Sequence, residues 1–246
     1  MTNCIVEHPL TIFPLGDSAL TIELGDRISE ELNRKALVLK KWLGSRSIPG
    51  VEDINIAYSS VSVYYDPIRI RNGKDFHGAT AFSYLKEQIE ELWRQDPSAL
   101  SMASPPEEDV LQIPVCYDLP YGPDLAWLAK EKGISRDQAI HLHTSLIYRV
   151  YMIGFLPGFP YLGTIDPGLE IPRKDKPVPV MAGSVGIAGS QTGIYPVNTP
   201  GGWQIIGRTR LRLFDPAADP PVRLKTGDRV RFVAVTEEEY RATEMP

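Results

Sequence analysis

The sequence is poor in several features that define particular classes of protein. Its two cysteines, Cys4 and Cys116, form neither a C-x-x-C pair nor a metal-ligand spacing, so a disulfide-built fold is excluded, although one bridge stays open. No apolar run approaches the roughly 20 residues that a membrane-spanning helix needs. Glu7 and His8 stand where a signal peptide would be apolar, so we expect a cytoplasmic protein without a membrane partner.

The chain also lacks a net positive charge. Its formal net charge is −5, and a nucleic-acid partner is therefore not expected. Two short helices predicted within 121–143 resemble a helix-turn-helix, but their acidic residues disfavour DNA binding. The charge is uneven, because residues 173–231 hold ten Lys or Arg against four Asp. That stretch suits a small anionic ligand or an acidic partner surface, or else it is only a solvated face.

Motifs of self-sufficient catalysis are missing as well. The glycine block at 183–193 has no lysine placed as in a P-loop, and it neither has the dinucleotide-binding spacing nor opens a helix. His141 and His143 have no cysteine or carboxylate cluster beside them, so no metal site is predicted. Ser184 does not stand in a G-x-S-x-G elbow. The sequence therefore predicts a shaped binding surface without a complete set of nucleophile, base and acid.

The first 97 residues mix strand and helix patterns. Residues 10–24 predict two strands around a turn at Gly16, and alternation over 51–67 predicts a hairpin. Helical spacing predicts helices over 30–43, capped by Ser29, and over 79–94. These elements indicate an α+β domain at 1–97. Residues 98–108 carry Pro, Ser and acidic residues without periodicity, and we interpret them as a linker.

The second region, residues 109–246, has many short strand patterns separated by Gly and Pro turns. This arrangement favours a closed or nearly closed β-barrel with a few helices. Gly133 is predicted to end one helix, and Ser135 with Gln138 forms a capping-box pattern for the next. Arg208, Arg210 and Arg212 recur at strand period, so we expect them to share one face.

The densest signal is the glycine-rich stretch 182–209, in which apolar and aromatic residues alternate with glycine. Glycine admits positive φ and lets a ligand or another backbone approach closely. Polar groups with aromatic neighbours would suit a small molecule that has amide and carboxylate groups. Alternatively, Gln191, Tyr195 and Trp203 only stabilise turns. The candidate binding residues are His143, Arg149, Phe159, Tyr161, Arg173, Ser184, Gln191, Tyr195, Trp203 and Arg208.

Several of these segments resemble one known family over nearly the whole chain. They are PLGDSAL (14–20), HTSLIYRVYMIGF (143–155), GFLPGFPYLG (154–163), AGSVGIAGSQTGIYPVNTPGGWQIIGRT (182–209) and LFDP (213–216). The family goes under three names, which are allophanate hydrolase subunit 1, the B-type 5-oxoprolinase subunit and KipI. It corresponds to the carboxyltransferase domain, subdomain C and D. The resemblance implies an α+β N-terminal domain followed by a mainly-β cyclophilin-like barrel domain.

The resemblance also implies an activity. It points to a subunit, inactive alone, of an ATP-dependent 5-oxoprolinase that converts 5-oxo-L-proline to L-glutamate. The complex would use ATP with magnesium. The partners would be a KipA-type protein, which is the C-type 5-oxoprolinase subunit, and a third 5-oxoprolinase subunit. The alternatives are an inhibitor that binds a sporulation histidine kinase and a subunit of the allophanate or urea-carboxylase type.

Two positions depart from the family pattern. Val178 stands where the family usually has a second arginine, and Met181 stands where it has proline. We therefore expect Arg173 to carry carboxylate binding alone.

Overall fold

The structure, a computed structural model, describes residues 10–96 and 109–242. The chain separates into two compact units, and each described range belongs to one of them. The predicted linker at 98–108 and Cys4 lie outside the described residues. In the ranges described, no helix is long and apolar enough to cross a membrane.

The first unit is an antiparallel four-stranded sheet, in the order β1-β2-β4-β3, with helices packed against it. Its strands are β1 (Thr11–Pro14), β2 (Ala19–Glu23), β3 (Val51–Ala57) and β4 (Ser60–Tyr65). Its helices are α1 (Glu30–Gly44), α2 (Pro67–Arg71) and α3 (Ala81–Gln95). The two predicted strands at 10–24, the hairpin and both long helices are confirmed. The apolar faces of α1 and α3 bury Leu39, Leu43, Leu85 and Ile89 in one core with the sheet.

Local capping explains two differences from the sequence prediction. Asp66-Pro67 ends the hairpin but also begins α2, because the Asp66 carboxylate accepts the Ile68 and Arg69 N–H groups and proline suits the first helical position. Ser29 occupies the N-cap position of α1 but makes no side-chain capping hydrogen bond. Its predicted capping role is therefore wrong.

The second unit is built around a closed barrel of seven strands in the order β10-β7-β6-β13-β5-β12-β9. The strands of the unit are β5 (Leu111–Cys116), β6 (Tyr148–Ile153), β7 (Pro160–Gly163), β8 (Val178–Val180), β9 (Ser184–Ala188), β10 (Gln191–Ile194), β11 (Thr199–Gly201), β12 (Gln204–Arg208) and β13 (Arg229–Val235). The helices are α4 (Leu125–Lys132), α5 (Arg136–Thr144) and α6 (Glu237–Ala242). Strands β8 and β11 form a separate two-stranded ribbon. The predicted barrel is confirmed, and its cyclophilin-like character stays a prediction.

The predicted helix ends in this unit are confirmed. Gly133 follows α4 with a φ of +66°, and Ser135 and Gln138 form the expected capping box at the start of α5. The prediction that Arg208, Arg210 and Arg212 share one face is wrong. Strand β12 ends at Arg208, and beyond it Arg210 donates to the Arg241 carbonyl while Arg212 pairs with Asp215.

Candidate functional site

Strand alternation places several candidate residues on the outer face of the barrel, which is the side of its strands turned away from the core. On β6, Tyr148 and Val150 are buried in the barrel core, so Arg149 between them points outward. Arg149 pairs with Gly163 on β7, and Gly163 in turn pairs with Gln191 on β10. Residues directly opposite each other in a sheet project to the same side. Arg149 and Gln191 therefore flank Gly163 on the outer face.

Two further rows of this face carry other candidates. Tyr161 on β7 pairs with Gly193 on β10, two residues along each strand from the first row. Ser184 on β9 pairs with Arg208 on β12. Ser184 is only 5% exposed, whereas Arg208 is partly exposed. The outside of the barrel thus carries guanidinium, amide, phenol and hydroxyl groups, with Arg149 on β6 and Arg208 on β12 on opposite sides of the closed strand order.

Four of the candidate binding residues form one aromatic layer over this face. The layer consists of Phe159, Tyr161, Tyr195 and Trp203. The Phe159 ring lies 4.9 Å from Tyr161, 5.2 Å from Tyr195 and 5.4 Å from Trp203, in edge-to-face arrangements that aromatic rings favour. Phe159 and Tyr195 are buried, while Tyr161 and Trp203 stay partly exposed. Burial raises the pKa of the Tyr161 and Tyr195 phenols, so both stay protonated at neutral pH.

Glycines beneath the layer let the rings lie close to the sheet. A Cβ on Gly193 would come within 3.0 Å of both Phe159 Cζ and Trp203 Cζ3, and one on Gly186 would lie 2.9 Å from Trp203 Cβ. The glycine-rich block therefore admits close approach, as the sequence predicted. In this structure the approaching groups are the protein's own aromatic side chains.

An ion pair holds one side of the aromatic layer. It was not predicted from the sequence. Lys174 Nζ pairs with Asp124 Oδ2, and it also donates to the Trp203 carbonyl at 3.2 Å and to Gln204 Oε1 at 3.1 Å. Asp124 Oδ2 accepts the Ile205 N–H at 2.6 Å. We call this group the Asp124–Lys174 clamp. It joins the start of α4 to the segments 172–174 and 203–205.

Backbone hydrogen bonds reinforce the clamp at both of its residues. The Lys174 N–H donates to the Gly202 carbonyl at 2.6 Å, and the Asp124 N–H donates to the Ile205 carbonyl at 2.9 Å. Gln204 Nε2 donates to the Pro172 carbonyl at 3.0 Å. Arg173, which lies between these anchored positions, is exposed. The clamp therefore fixes the backbone on either side of the Arg173 guanidinium and next to the Trp203 ring.

The loop before β9 is fastened by two other polar side chains. Arg208 Nε donates to the Ala182 carbonyl at 2.8 Å, and Asn198 Oδ1 accepts the Ala182 N–H at 2.7 Å. Gly183 has a φ of +82°, and a Cβ there would lie 2.1 Å from the Thr209 carbonyl oxygen. Only glycine fits that position. Because Arg208 uses its Nε on the loop, its two terminal amino groups are the part of the guanidinium that can meet a ligand.

His143 is placed apart from the outer face, inside the barrel. It is fully buried and stacked on Phe232 at 4.4 Å. Its Nδ1 lies 2.7 Å from the Tyr117 hydroxyl, and its Nε2 lies 3.0 Å from Thr192 Oγ1. Thr192 donates its own proton to the Gly186 carbonyl, so we assign the proton of the imidazole to Nε2. Burial lowers the pKa of His143 to about 3, which makes it a neutral structural residue at physiological pH.

The clamp carried no local sequence signal, because Asp124 and Lys174 are 50 residues apart. Within residues 10–96 and 109–242, no group of three or more His, Cys, Asp or Glu could hold a metal ion.

Comparison with known proteins places this site in a family. The family model described as "Carboxyltransferase domain, subdomain C and D" matches residues 10–224, which include the candidate residues of the outer face and the aromatic layer. The chain belongs to this family.

Relatives with curated names match the chain over most of its length. A protein of Escherichia coli O157:H7, named as the B subunit of 5-oxoprolinase, is 49% identical over 227 residues, which are 89% of this chain and 93% of that protein. The protein of the same name from Bacillus subtilis strain 168 is 39% identical over 229 residues, covering 93% and 94% of the two chains. The crystal structure of TTHA0988 is similar with a TM-score of 0.72 and 35% identity over 93% of this chain. The match covers only 40% of the TTHA0988 chain.

Proposed function

We propose that this protein is a subunit of an ATP-dependent 5-oxoprolinase, which opens 5-oxo-L-proline to L-glutamate. The observation that carries the proposal is the 49% identity to a curated 5-oxoprolinase B subunit over 93% of that protein's length. The family match over residues 10–224 includes the glycine-rich block and the aromatic loop, from which the aromatic layer is built.

The chemistry of the outer face suits the proposed substrate. 5-Oxoproline is a five-membered lactam that carries one carboxylate. A guanidinium binds a carboxylate through two parallel hydrogen bonds, and exposed Arg173 is our choice for that role. The side-chain amide of Gln191 can hydrogen-bond to the lactam amide, and the partly exposed rings of Tyr161 and Trp203 can pack on the ring methylenes.

Two candidate residues of the kind that serve as nucleophile or base are withdrawn from solvent. Ser184 is 5% exposed, and His143 is sealed in the barrel interior with both ring nitrogens hydrogen-bonded. Opening a lactam needs a group that attacks the carbonyl and a group that protonates the leaving nitrogen. We therefore assign those two groups to partner subunits, one of the C type and one of a third kind.

The proposed complex uses ATP with magnesium. Among the described residues, no group of three or more His, Cys, Asp or Glu side chains forms a ready-made metal site. The glycine-rich block also lacks the lysine and the following helix of a P-loop. ATP chemistry is therefore assigned to no residue of this chain.

Reconstitution tests the proposal. The purified chain is mixed with its C-type partner and the third subunit, and glutamate release from 5-oxoproline is measured with and without ATP. We expect ATP-dependent glutamate release only when all the subunits are present. Full activity after omission of this chain would end the proposal. Activity that depends on biotin would instead support a urea-carboxylase-type role.

Substituting a residue of the proposed site then tests whether this chain binds the substrate or only supports assembly of the complex. Arg173→Ala is expected to raise the KM for 5-oxoproline by about 10-fold or more, because a charge-assisted bidentate contact is lost. Arg223→Ala is the matched control, since Arg223 is an exposed arginine of the same unit beyond the outer face. An unchanged KM in Arg173→Ala would remove that residue from the proposed site.

A further inference from the structure

Two side chains proposed to contact the substrate come from separate segments of the chain. Arg173 is exposed and would bind the carboxylate, and the partly exposed Trp203 ring would pack on the lactam methylenes. The segments meet at Gly202, where a Cβ would lie 4.0 Å from Arg173 Cδ, so the arginine side chain lies beside the backbone that carries Trp203. A substrate that contacts both groups needs them at a fixed distance from each other.

The Asp124–Lys174 clamp joins these two segments directly. Lys174 follows Arg173 in the chain, and its Nζ donates to Asp124 Oδ2 and to the Trp203 carbonyl. Its backbone N–H donates to the Gly202 carbonyl at 2.6 Å. These two carbonyls lie immediately before and after the Trp203 α-carbon. One residue next to the arginine therefore holds the backbone on both sides of the tryptophan.

The clamp is built from charged groups, although apolar side chains could join the same segments. The Lys174 and Asp124 side chains are only 20% and 22% exposed, and replacing a buried ion pair by apolar residues of similar size is often neutral or stabilising. Charged hydrogen bonds add a defined direction. Lys174 Nζ also donates to Gln204 Oε1 at 3.1 Å, and Gln204 Nε2 donates to the Pro172 carbonyl at 3.0 Å. The clamp thus fixes the residues on both sides of Arg173.

We propose that Asp124 and Lys174 are positioning residues for the recognition of a lactam that carries a carboxylate. They hold the Arg173 guanidinium and the Trp203 ring in the relative position that such a substrate requires. Contacts that are already in place lower the entropy that is lost on binding. The inference rests on the proposed function, because it assigns to the clamp the selection of 5-oxoproline over lactams without a carboxylate.

The test measures KM and kcat for 5-oxoproline in the reconstituted complex. Lys174→Met should raise KM by about fivefold with a smaller change in kcat, because the reacting groups are assigned to the partner subunits. 2-Pyrrolidone is the same ring without the carboxylate, and it offers Arg173 nothing to bind. Its inhibition constant as a competitor should therefore stay within about twofold of the wild-type value.

Two further variants separate positioning from a simple loss of positive charge. Asp124→Asn keeps the Lys174 cation and removes a negative charge, so electrostatic attraction alone would lower KM. Weakened positioning would instead raise KM, by about threefold, while the asparagine oxygen can still accept the Ile205 N–H and preserve the fold. Lys176→Met is the matched control, because it removes an exposed cation two residues from Lys174, and its KM should stay within about twofold.

A double-mutant cycle with Arg173 tests the inference most sharply. If the clamp acts through the guanidinium, Lys174→Met should have little further effect on KM in an Arg173→Ala background. The same rise in KM in both backgrounds would overturn the inference. An equal loss of 5-oxoproline and 2-pyrrolidone binding would overturn it as well, because that is the result expected from a general loosening of the fold.

Glutamate release by the wild-type complex distinguishes this failure from failure of the proposed function. If the wild-type complex releases glutamate and Lys174→Met keeps the wild-type KM, only the positioning inference is wrong. If the wild-type complex releases no glutamate with all partners and ATP present, the proposed function fails, and the inference fails with it.

Discussion

Replacing Lys174 by methionine should destabilise the segment 202–205 by more than the loss of an exposed ion pair would. The side chains of Lys174 and Asp124 are 20% and 22% exposed, so the pair lies between a surface ion pair and a buried one. Exposed pairs contribute about 0.2–1 kcal/mol, and breaking a buried pair costs about 3–5 kcal/mol. Methionine also removes the donors to the Trp203 carbonyl and Gln204 Oε1. We therefore expect a loss of about 2 kcal/mol.

Native-state hydrogen exchange measures this loss of stability at individual backbone amides. The Ile205 N–H is held by Asp124 Oδ2, and the carboxylate should turn toward water once its cation is gone. A loss of about 2 kcal/mol corresponds to a fall of about 30-fold in the protection of that amide. Lys176→Met, at an exposed lysine two residues away, should change protection by less than about twofold.

A double-mutant cycle identifies the ion pair as the cause. Asp124→Asn keeps an acceptor for Ile205 but removes the charge, so Lys174→Met should cost less in that background. The clamp would be refuted if Lys174→Met and Lys176→Met changed the protection of the Ile205 amide equally. A cycle with no coupling energy would refute it as well.

Two further predictions concern the barrel. Burial holds the pKa of His143 at about 3, below the unfolded value of 6.5, so the unfolded chain takes up the proton first as pH falls. The free energy of unfolding should therefore fall from pH 6.5 downward, by about 1.4 kcal/mol at pH 5.5. Urea unfolding at about pH 7.5 and pH 5.5 measures this loss. It should appear in His141→Gln but not in His143→Gln. Gly193→Ala, whose Cβ would lie 3.0 Å from Trp203 Cζ3, should destabilise the barrel by about 1–3 kcal/mol. Gly44→Ala, which meets no atom within 4 Å, should be neutral or stabilising in the same assay, and equal effects would contradict the packing account.

Most elements were predictable because their signals are local. Strand β13 carries such a signal, since Val230 and Phe232 alternate with exposed or partly exposed residues after a Gly-Asp turn and point into the core. The capping box at Ser135 was predicted for the same reason: its donors and acceptors lie within four residues. Helix α2 was missed because Asp66-Pro67 both ends a strand and starts a helix, and five residues are too few for a period.

The sequence singled out several residues that meet in the structure, but it did not predict the geometry in which they meet. Phe159, Tyr195 and Trp203 were among the candidate binding residues, and they meet in one layer. The sequence could not show that this layer fills the space above the glycines, because that depends on the pairing of β9 with β10. Nor could it place His143 in the interior, since a histidine on a short helix has no fixed side without the barrel against which it packs.

The proposed role makes this chain one stoichiometric part of a 5-oxoprolinase. Titrating it into fixed amounts of the partner subunits, with ATP and 5-oxoproline saturating, tests that role most directly. Glutamate formation should rise from near zero and level off at a fixed molar ratio of this chain to its partners. A rate independent of the chain, or one that rises with the chain when no partner is present, would contradict it.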